Sequence, residues 1–159
     1  MPEPAVERLA PAALEEVRGM LLDLMVEEQG SYDHPPASRA QIDRDLLSEL
    51  RPAFSGENVM LVTRDGAGRV AALCWCVIYD PGTGLEGEVA EVYVRPDQRG
   101  RGLARRLLGE AVELFRARRV TFASVWTHPT NRAAIRLYRS AGFAPTEQMV
   151  MTWLPADAG

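Results

Sequence analysis

Hydrophobic and polar positions follow two different periods along this chain. Segments with apolar residues every three or four positions predict helices. These segments are residues 11–28, 38–50, 103–115 and 131–141. Segments rich in β-branched and aromatic residues, bounded by Gly, Pro or Asp, predict strands. These segments are residues 5–10, 59–64, 69–79, 88–94, 121–127 and, with a break near Pro145, 143–154.

The order of the predicted elements indicates the fold class. One strand and two helices precede three consecutive strands, and then helices and strands alternate to the end. This order is typical of a mixed α/β domain of the α+β kind and excludes a doubly wound parallel sheet. A chain of 159 residues also suits one well-buried domain.

Composition places the chain among ordinary globular proteins, because 47% of its residues are hydrophobic and 25% are charged. No apolar run approaches the roughly 20 residues that a membrane-spanning helix needs. The first 13 residues contain acids and prolines before any hydrophobic stretch, which excludes a signal peptide. We therefore expect a cytoplasmic protein with no membrane partner.

Charge is distributed unevenly. The net charge is -4, which argues against a nucleic-acid partner. The segment from Gln98 to Ser140 nevertheless holds ten arginines and two acids, while the remainder is strongly acidic. Most of these arginines are expected to be solvated on helix surfaces. The segment still provides positive charge where an anionic ligand would bind.

The two cysteines predict neither a disulfide nor a metal site. Cys74 and Cys76 lie on one face of a predicted strand, where two thiols are poorly placed to bond to each other. No further cysteine or cluster of histidines completes a set of metal ligands. We interpret both as reduced residues of the core.

The segment from Glu88 to Ala104 combines a strand, a loop and the start of a helix. Pro96 ends the strand, since proline cannot donate a hydrogen bond to a neighbouring strand. Gly100 and Gly102 follow, where the missing side chains allow a ligand to approach the backbone. The first amides of the next helix have no partner within it and suit phosphate oxygens. The segment therefore predicts a diphosphate-binding site.

Two other phosphate-binding motifs fit less well. A Walker loop needs a lysine, and the chain contains none. Residues 82–87 match G-x-G-x-x-G, but a predicted strand follows them where a dinucleotide site needs a helix. We interpret these residues as a glycine-rich loop between strands.

A second polar segment surrounds the last predicted helix. Asn131, Ala134 and Tyr138 share one face of that helix, with about 10 Å along the axis between the first and the last. The amide and the phenol are therefore able to contact one elongated ligand. The alternative is a simple helix cap at Asn131 and a core tyrosine with a hydrated hydroxyl. Histidine is a residue type that can exchange a proton at neutral pH, but the Thr-His-Pro setting of His128 favours a loop.

The two segments together resemble the GNAT superfamily of N-acetyltransferases. Arg99-x-x-Gly102-x-Ala104 is similar to the family's Q/R-x-x-G-x-G/A loop, and Asn131-x-x-Ala134-x-x-Leu137-Tyr138 before Gly142 is similar to its second motif. The resemblance implies a single GNAT-like domain over residues 1–159. It implies a mixed, mostly antiparallel sheet flanked by helices, with a bulged strand that splays from its neighbour at the CoA site. Residues 1–58 would form the acceptor side, and residues 59–154 the CoA-binding core.

The resemblance also implies roles for particular residues, with acetyl-CoA as co-substrate. The backbone of β-strand residues Val92, Tyr93 and Val94 would pair with pantetheine like an added strand. The loop amides would hold the diphosphate; this loop comprises Arg99, Gly100, Arg101, Gly102, Leu103 and Ala104. Asn131 and Ala134 would contact the pantetheine arm. Tyr138 would protonate the departing thiolate, because a phenol with an ordinary pKa near 10 is protonated at neutral pH.

The general base and the acceptor remain open. Glu91 is either the base for the amine or an ordinary surface or ion-paired carboxylate. Tyr32, Asp33 and His34 are the candidate acceptor-binding residues. Trp126 occupies the position of an acid in ribosomal-protein-type relatives, which argues against acetylation of protein N-termini.

We therefore expect transfer of an acetyl group to a primary amine of a small molecule by direct attack in a ternary complex. One alternative is transfer to a protein or peptide amine, and another is an acyl-CoA-binding module without catalysis. The predicted strand over residues 148–154 is a candidate surface for a homodimer.

Overall fold

Five strands form one mixed sheet in the computed structural model, which describes residues 4–29, 36–46, 56–80, 84–147, 149 and 151. The strands are β1 (Val6–Leu9), β2 (Gly56–Arg64), β3 (Val70–Tyr79), β4 (Glu86–Val94) and β5 (Phe122–Val125). They lie side by side in chain order, which is the order β1-β2-β3-β4-β5. The pairs from β1 to β4 are antiparallel, and β5 is parallel to β4. The predicted mixed, mostly antiparallel sheet is confirmed.

Within the described residues, four α-helices flank the sheet. They are α1 (Glu15–Glu28), α2 (Arg39–Asp45), α3 (Leu103–Ala117) and α4 (Arg132–Ser140). A short 3-10 turn at Pro11–Ala13 precedes α1, so the first predicted helix is divided in two. In the part of the chain that the structure describes, no helix is both long enough and apolar enough to cross a membrane.

The second predicted helix is shorter than its sequence pattern indicates. Ser38 caps it as expected: its hydroxyl accepts from the amide of Gln41, and the Gln41 side chain accepts from the amide of Ser38. The helix ends at Asp45, because Leu46 has an extended backbone with ψ 141°. The prediction of a helix through residue 46 was therefore wrong, and residues 47–50 lie outside the described residues.

The predicted last strand is also not borne out where the chain is described. Residues 143–147 are irregular, and Met149 and Met151 are exposed and not part of a strand. Residues 148, 150 and 152–159 lie outside the described residues, so the dimer surface stays a prediction. Gly84 is followed by β4 and not by a helix, which confirms that residues 82–87 are no dinucleotide fingerprint.

The sheet has a core on each face. On one face α1 packs over residues that include Leu73 and Tyr93. On the other face α3 covers residues that include Cys74, Cys76 and Val89. Both cysteines are buried and reduced, with their sulfur atoms 3.8 Å apart, as the sequence predicts. The hydrogen bond with Cys76 and burial raise the pKa of the Cys74 thiol, which makes it a poor nucleophile.

Candidate active site

A β-bulge in β4 changes which side chains share a face of the sheet. Glu91 pairs with Trp75 of β3, and Val89 pairs with the next residue, Cys76, so Ala90 has no partner in β3. A bulge of this kind places two residues opposite one and bends the strand. The resemblance to the acetyltransferase family predicts a bulge in this strand, and the register confirms it.

The bulge brings Glu88 and Glu91 to the same face. Their cross-strand partners, Val77 and Trp75, are two residues apart on β3 and therefore point to one side. In a regular strand, carboxylates three positions apart would point to opposite sides. This face is the one on which Trp75 packs with the α1 core. The sequence does not predict Glu88 as a site residue, because nothing in its residue pattern marks the bulge.

Glu88 differs from an ordinary surface carboxylate. Its side chain is partly buried, and burial raises the pKa of Glu88 above its usual value because the charged form loses hydration. A carboxylate with a raised pKa accepts a proton more readily near neutral pH than an exposed one. Glu88 is therefore a second candidate for a general base, beside Glu91.

The burial of Glu88 also affects the stability of the folded protein. The folded protein holds the Glu88 proton more tightly than the unfolded chain, so its stability falls as pH rises through the raised pKa. Glu88→Gln removes this loss. We expect the variant to melt above the wild type at pH 7, because a neutral amide replaces a carboxylate that loses hydration on folding. Near pH 4 the two should melt together. Calorimetry that finds the variant less stable at pH 7 would contradict the assignment of Glu88.

β4 and β5 pair over only part of their length. The parallel ladder joins residues 86–89 of β4 to residues 122–125 of β5, and β5 ends at Val125. Residues 91–94 of β4 continue beyond that point, and among the described strands they pair with β3 alone. The predicted splayed pair is therefore present. The open edge of β4 at Val92, Tyr93 and Val94 offers backbone groups for an extended ligand.

The loop that follows β4 places two glycines shortly before the first amides of α3. A 3-10 turn at Pro96–Gln98 leads to Gly100 and Gly102, with φ of 78° and 76°. Only glycine adopts this left-handed backbone without strain. Gly102 caps α3 without any side-chain hydrogen bond to the first helical amides. These amides carry the partial positive charge of the helix N-terminus and fit a diphosphate.

A cavity of about 290 Å³ lies at this end of α3. Its walls consist of Gly102, Leu103, the side chains of Arg101, Arg105 and Arg106, and Pro4 from the start of the chain. Arg101 also donates to the side chain of Gln98 at 3.1 Å. Three guanidinium groups beside the first amides of α3 give the site the charge that a diphosphate requires.

Arg99 is turned towards α1. Its Nη2 donates to Oε2 of Glu27 at 3.0 Å, and its Nε donates to the carbonyl of Val94 at 3.0 Å. The guanidinium also lies 5.6 Å from the centre of the Tyr93 ring. The backbone of Arg99 belongs to the predicted loop, but these contacts occupy its side chain. The sequence alone gives no signal for Glu27, which lies 72 positions away.

Asn131 caps α4. Its Oδ1 accepts from the amide of Ala134 at 3.1 Å, which confirms the helix-cap interpretation. The side-chain NH₂ group takes no part in this bond, so a contact with pantetheine stays compatible with the cap. Ala134 lies in the first turn of the same helix and is partly buried.

Tyr138 is held in place by the end of α4. The amide of Phe143 donates to the carbonyl of Tyr138, and the amide of Gly142 donates to that of Arg139. With Gly142 at φ 93°, this is a Schellman ending, and its usual hydrophobic contact is present. The rings of Tyr138 and Phe143 meet edge to face, with centroids 6.3 Å apart. Tyr138 is partly buried against the α3 core, so the ring has a defined position.

Five further residues that the sequence singles out remain outside the arrangement described above. Tyr32, Asp33 and His34 lie outside the described residues. His128 is exposed in a loop, where its Nδ1 lies 2.7 Å from the hydroxyl of Thr130, which confirms the loop prediction. Trp126 follows β5 directly and is 57% exposed. Among the described residues, no group of three or more His, Cys, Asp or Glu side chains is arranged to hold a metal ion.

Sequence comparison identifies relatives of the chain. A model described as the acetyltransferase (GNAT) family matches residues 20–143. A mycothiol acetyltransferase of Thermobifida fusca is 33% identical and aligns with 95% of this chain and 50% of its own length. Another, from Nocardiopsis dassonvillei, is 35% identical and aligns with 79% of this chain and 39% of its own length. The chain therefore spans half or less of these curated relatives.

Solved structures agree on the fold. An integron cassette protein from the mobile metagenome of V. cholerae matches with a TM-score of 0.75. The match covers 99% of this chain and 95% of the other at 14% identity. At that identity the likeness concerns the fold alone.

Proposed function

The chain belongs to the acetyltransferase (GNAT) family, and from this premise we propose that it transfers an acetyl group from acetyl-CoA to a primary amine of a small molecule. One observation carries the proposal. The open edge of β4 runs directly into a glycine loop whose amides meet a cavity lined with arginines. Such a site binds an extended arm at one end and a diphosphate at the other, which is the chemistry of CoA.

The residues present fit acetyl-CoA. Amides from Gly100 to Ala104 bind the diphosphate, and Arg101, Arg105 and Arg106 neutralise its charge; the amide of Arg99, which the sequence also predicts to bind, donates to the carbonyl of Pro96. The backbone of residues 92–94 pairs with the pantetheine arm, and Asn131 and Ala134 contact it from α4. Acetyl-CoA supplies a thioester carbonyl, which the acceptor amine attacks directly within a ternary complex.

Tyr138 acts as the general acid. The leaving thiolate needs a proton, and a phenol at the end of α4 is protonated at neutral pH. The edge contact with Phe143 and the Schellman ending support this role, because they give the ring a defined position. Catalytic proton transfer depends on such a fixed geometry.

The general base is Glu88 or Glu91, acting directly or through water. The amine must lose a proton before it attacks, and these two carboxylates share the face beside the splayed strands. Glu91 lies closer in sequence to the open edge of β4. Glu88 has the raised pKa that suits a base near neutral pH.

Single substitutions of Glu88 and Glu91 distinguish which of the two is the base. Replacing the base by Gln should lower kcat/KM about 10²-fold at neutral pH, which is the lower end for a positioned general base. In the wild type, kcat/KM should fall as pH drops through the pKa of the base, because a protonated carboxyl accepts no proton. The variant that lacks the base should lose this acidic limb, and the other variant should keep it. If both Glu88→Gln and Glu91→Gln keep the limb, neither carboxylate is the base.

Two observations support a small-molecule acceptor. The names of both curated relatives refer to mycothiol and not to a protein. The carboxylates of Glu86, Glu88 and Glu91 share one face of β4, which favours a cationic amine over an acidic partner. Transfer to a protein or peptide amine is the rival, with residues 32–34 as the proposed acceptor contacts in either case. A cytoplasmic location, a homodimer, and the absence of nucleic-acid and membrane partners stay predictions.

An assay of CoA release with a panel of amines tests the proposal. The panel contains polyamines, amino acids, the amine substrate of mycothiol acetyltransferases, aminoglycosides and short peptides. We expect at least one small amine to accelerate release, with the peptides inactive. Acceleration by peptides alone would replace the small-molecule acceptor with a protein one. Tight CoA binding without release for any amine would favour the non-catalytic binding module.

A further inference from the structure

We propose that Glu27 of α1 is a positioning residue for acetyl-CoA, which holds the diphosphate-binding loop in place through Arg99 and Tyr93. The inference rests on the proposed function, because it concerns the same binding site. It assigns a role to a residue on the acceptor side of the domain, far from the loop in sequence. It also assigns Arg99 an anchoring role instead of a phosphate contact.

Glu27 joins three parts of the fold. Its Oε2 accepts from Nη2 of Arg99 at 3.0 Å, and its Oε1 accepts from the hydroxyl of Tyr93 at 3.0 Å. Arg99 is in turn bonded to the carbonyl of Val94 and lies over the Tyr93 ring. One carboxylate thus links α1, the open end of β4 and the first residue of the loop.

The loop needs an anchor of this kind. Gly100 and Gly102 both have positive φ and lack side chains to pack, so the chain at these positions is costly to order. Arg99 directly precedes them, and its side chain is held by three groups: the Glu27 carboxylate, the Val94 carbonyl and the Tyr93 ring. Tyr93 is only 4% exposed, so its hydroxyl gives Glu27 a fixed bond on the sheet side. An ordered Arg99 defines where the amides after it point.

A different role for Arg99 predicts that removing the charge of Glu27 changes CoA affinity in the opposite direction. If Arg99 binds phosphate directly, then Glu27 competes for it and also repels the diphosphate. Removing the charge of Glu27 would then free Arg99 and strengthen CoA binding. If Glu27 positions the loop, removing its charge weakens CoA binding. The direction of the change therefore separates the two accounts.

The test compares Glu27→Gln with Glu16→Gln, using CoA itself as the calorimetric probe. Glu16 is a matched control, because it also lies on α1 and pairs with an arginine, Arg64, away from the loop. We expect the Kd of CoA to rise about three- to tenfold in Glu27→Gln, since a partly exposed hydrogen-bonded ion pair contributes modestly. The control should bind like the wild type. An unchanged or lower Kd in Glu27→Gln overturns the inference.

A spectroscopic readout confirms that the contact itself has changed. Burial and the hydrogen bond to Glu27 raise the pKa of Tyr93 to about 12. In Glu27→Gln, a pH titration followed by tyrosinate absorbance should show that the pKa of Tyr93 has fallen towards its ordinary value. A lowered Tyr93 pKa with an unchanged Kd would show a contact that serves stability alone, which overturns the inference.

A double variant completes the test. Glu27→Gln combined with Arg99→Met should lose less CoA affinity than the sum of the two single losses, because both changes break the contact between Glu27 and Arg99. Additive losses would overturn the inference. If the wild type itself does not bind CoA, the proposed function fails together with the inference. If the wild type binds and Glu27→Gln binds equally well, only the inference fails.

Discussion

Tyr138→Phe is expected to lower turnover about 10²-fold or more, which is the usual contribution of a positioned acid or base. The substitution removes the hydroxyl and keeps the ring, so the edge contact with Phe143 and the ending of α4 should survive. The affinity for acetyl-CoA should change little, because the proposed proton transfer occurs only as the thiolate leaves. Steady-state kinetics with a saturating amine, beside calorimetric binding of CoA, measures both quantities.

A matched control makes this result specific. Tyr79→Phe removes a phenol whose hydroxyl donates to Glu86 at 2.9 Å on β4. The control likewise loses a phenolic hydroxyl and keeps its ring, but it is expected to keep near wild-type turnover. Unchanged turnover in Tyr138→Phe, under conditions where chemistry limits the rate, would remove Tyr138 from the mechanism.

Gly102→Val is expected to abolish CoA binding. A β-branched residue is strongly disfavoured at a φ of 76°, so the loop must change its backbone or remain strained. Either outcome displaces the first amides of α3. Since a hydrogen bond to a charged group contributes about 1.5–3 kcal/mol, the loss of two would weaken binding about 10²-fold or more. Calorimetry with CoA measures the effect.

The reason for this effect lies in the ligand and the backbone and not in a clash within the protein. A Cβ atom at Gly102 would meet no atom within 4 Å. Gly109, also on α3, has the same free space and no positive φ. Gly109→Val should therefore bind CoA normally, and Gly102→Ala should show a smaller loss than Gly102→Val. Tight binding of CoA by a folded Gly102→Val protein would place the diphosphate elsewhere.

Local sequence patterns predict the loop and its helix well. The apolar repeat from Leu103 to Phe115 fixes α3, and two glycines mark the turn before it. Asn131 and Gly142 bracket α4 because caps depend on side chains close in sequence. The sheet order also follows from the predicted elements, since consecutive strands usually pair.

Contacts between distant parts of the chain could not be predicted in this way. The bulge at Ala90 depends on pairing with β3. None of the residues at the bulge itself, 89–91, is a glycine or a proline that would mark it in the sequence. Glu88 was therefore missed, because regular alternation places it opposite Glu91. The bond between Glu27 and Arg99 joins residues on separate elements. Leu46 fits the helical pattern, yet its side chain is buried against the core in an extended backbone.

The central claim is that this site moves an acetyl group from acetyl-CoA to an amine. Mass spectrometry of a reaction with acetyl-CoA and the most active small amine, beside a thiol assay, tests it most directly. We predict one acetylated amine for each CoA thiol released by the wild type, with both signals strongly reduced in Tyr138→Phe and absent in Gly102→Val. Thiol release without an acetylated amine, or equal product from the wild type and Gly102→Val, would contradict the account.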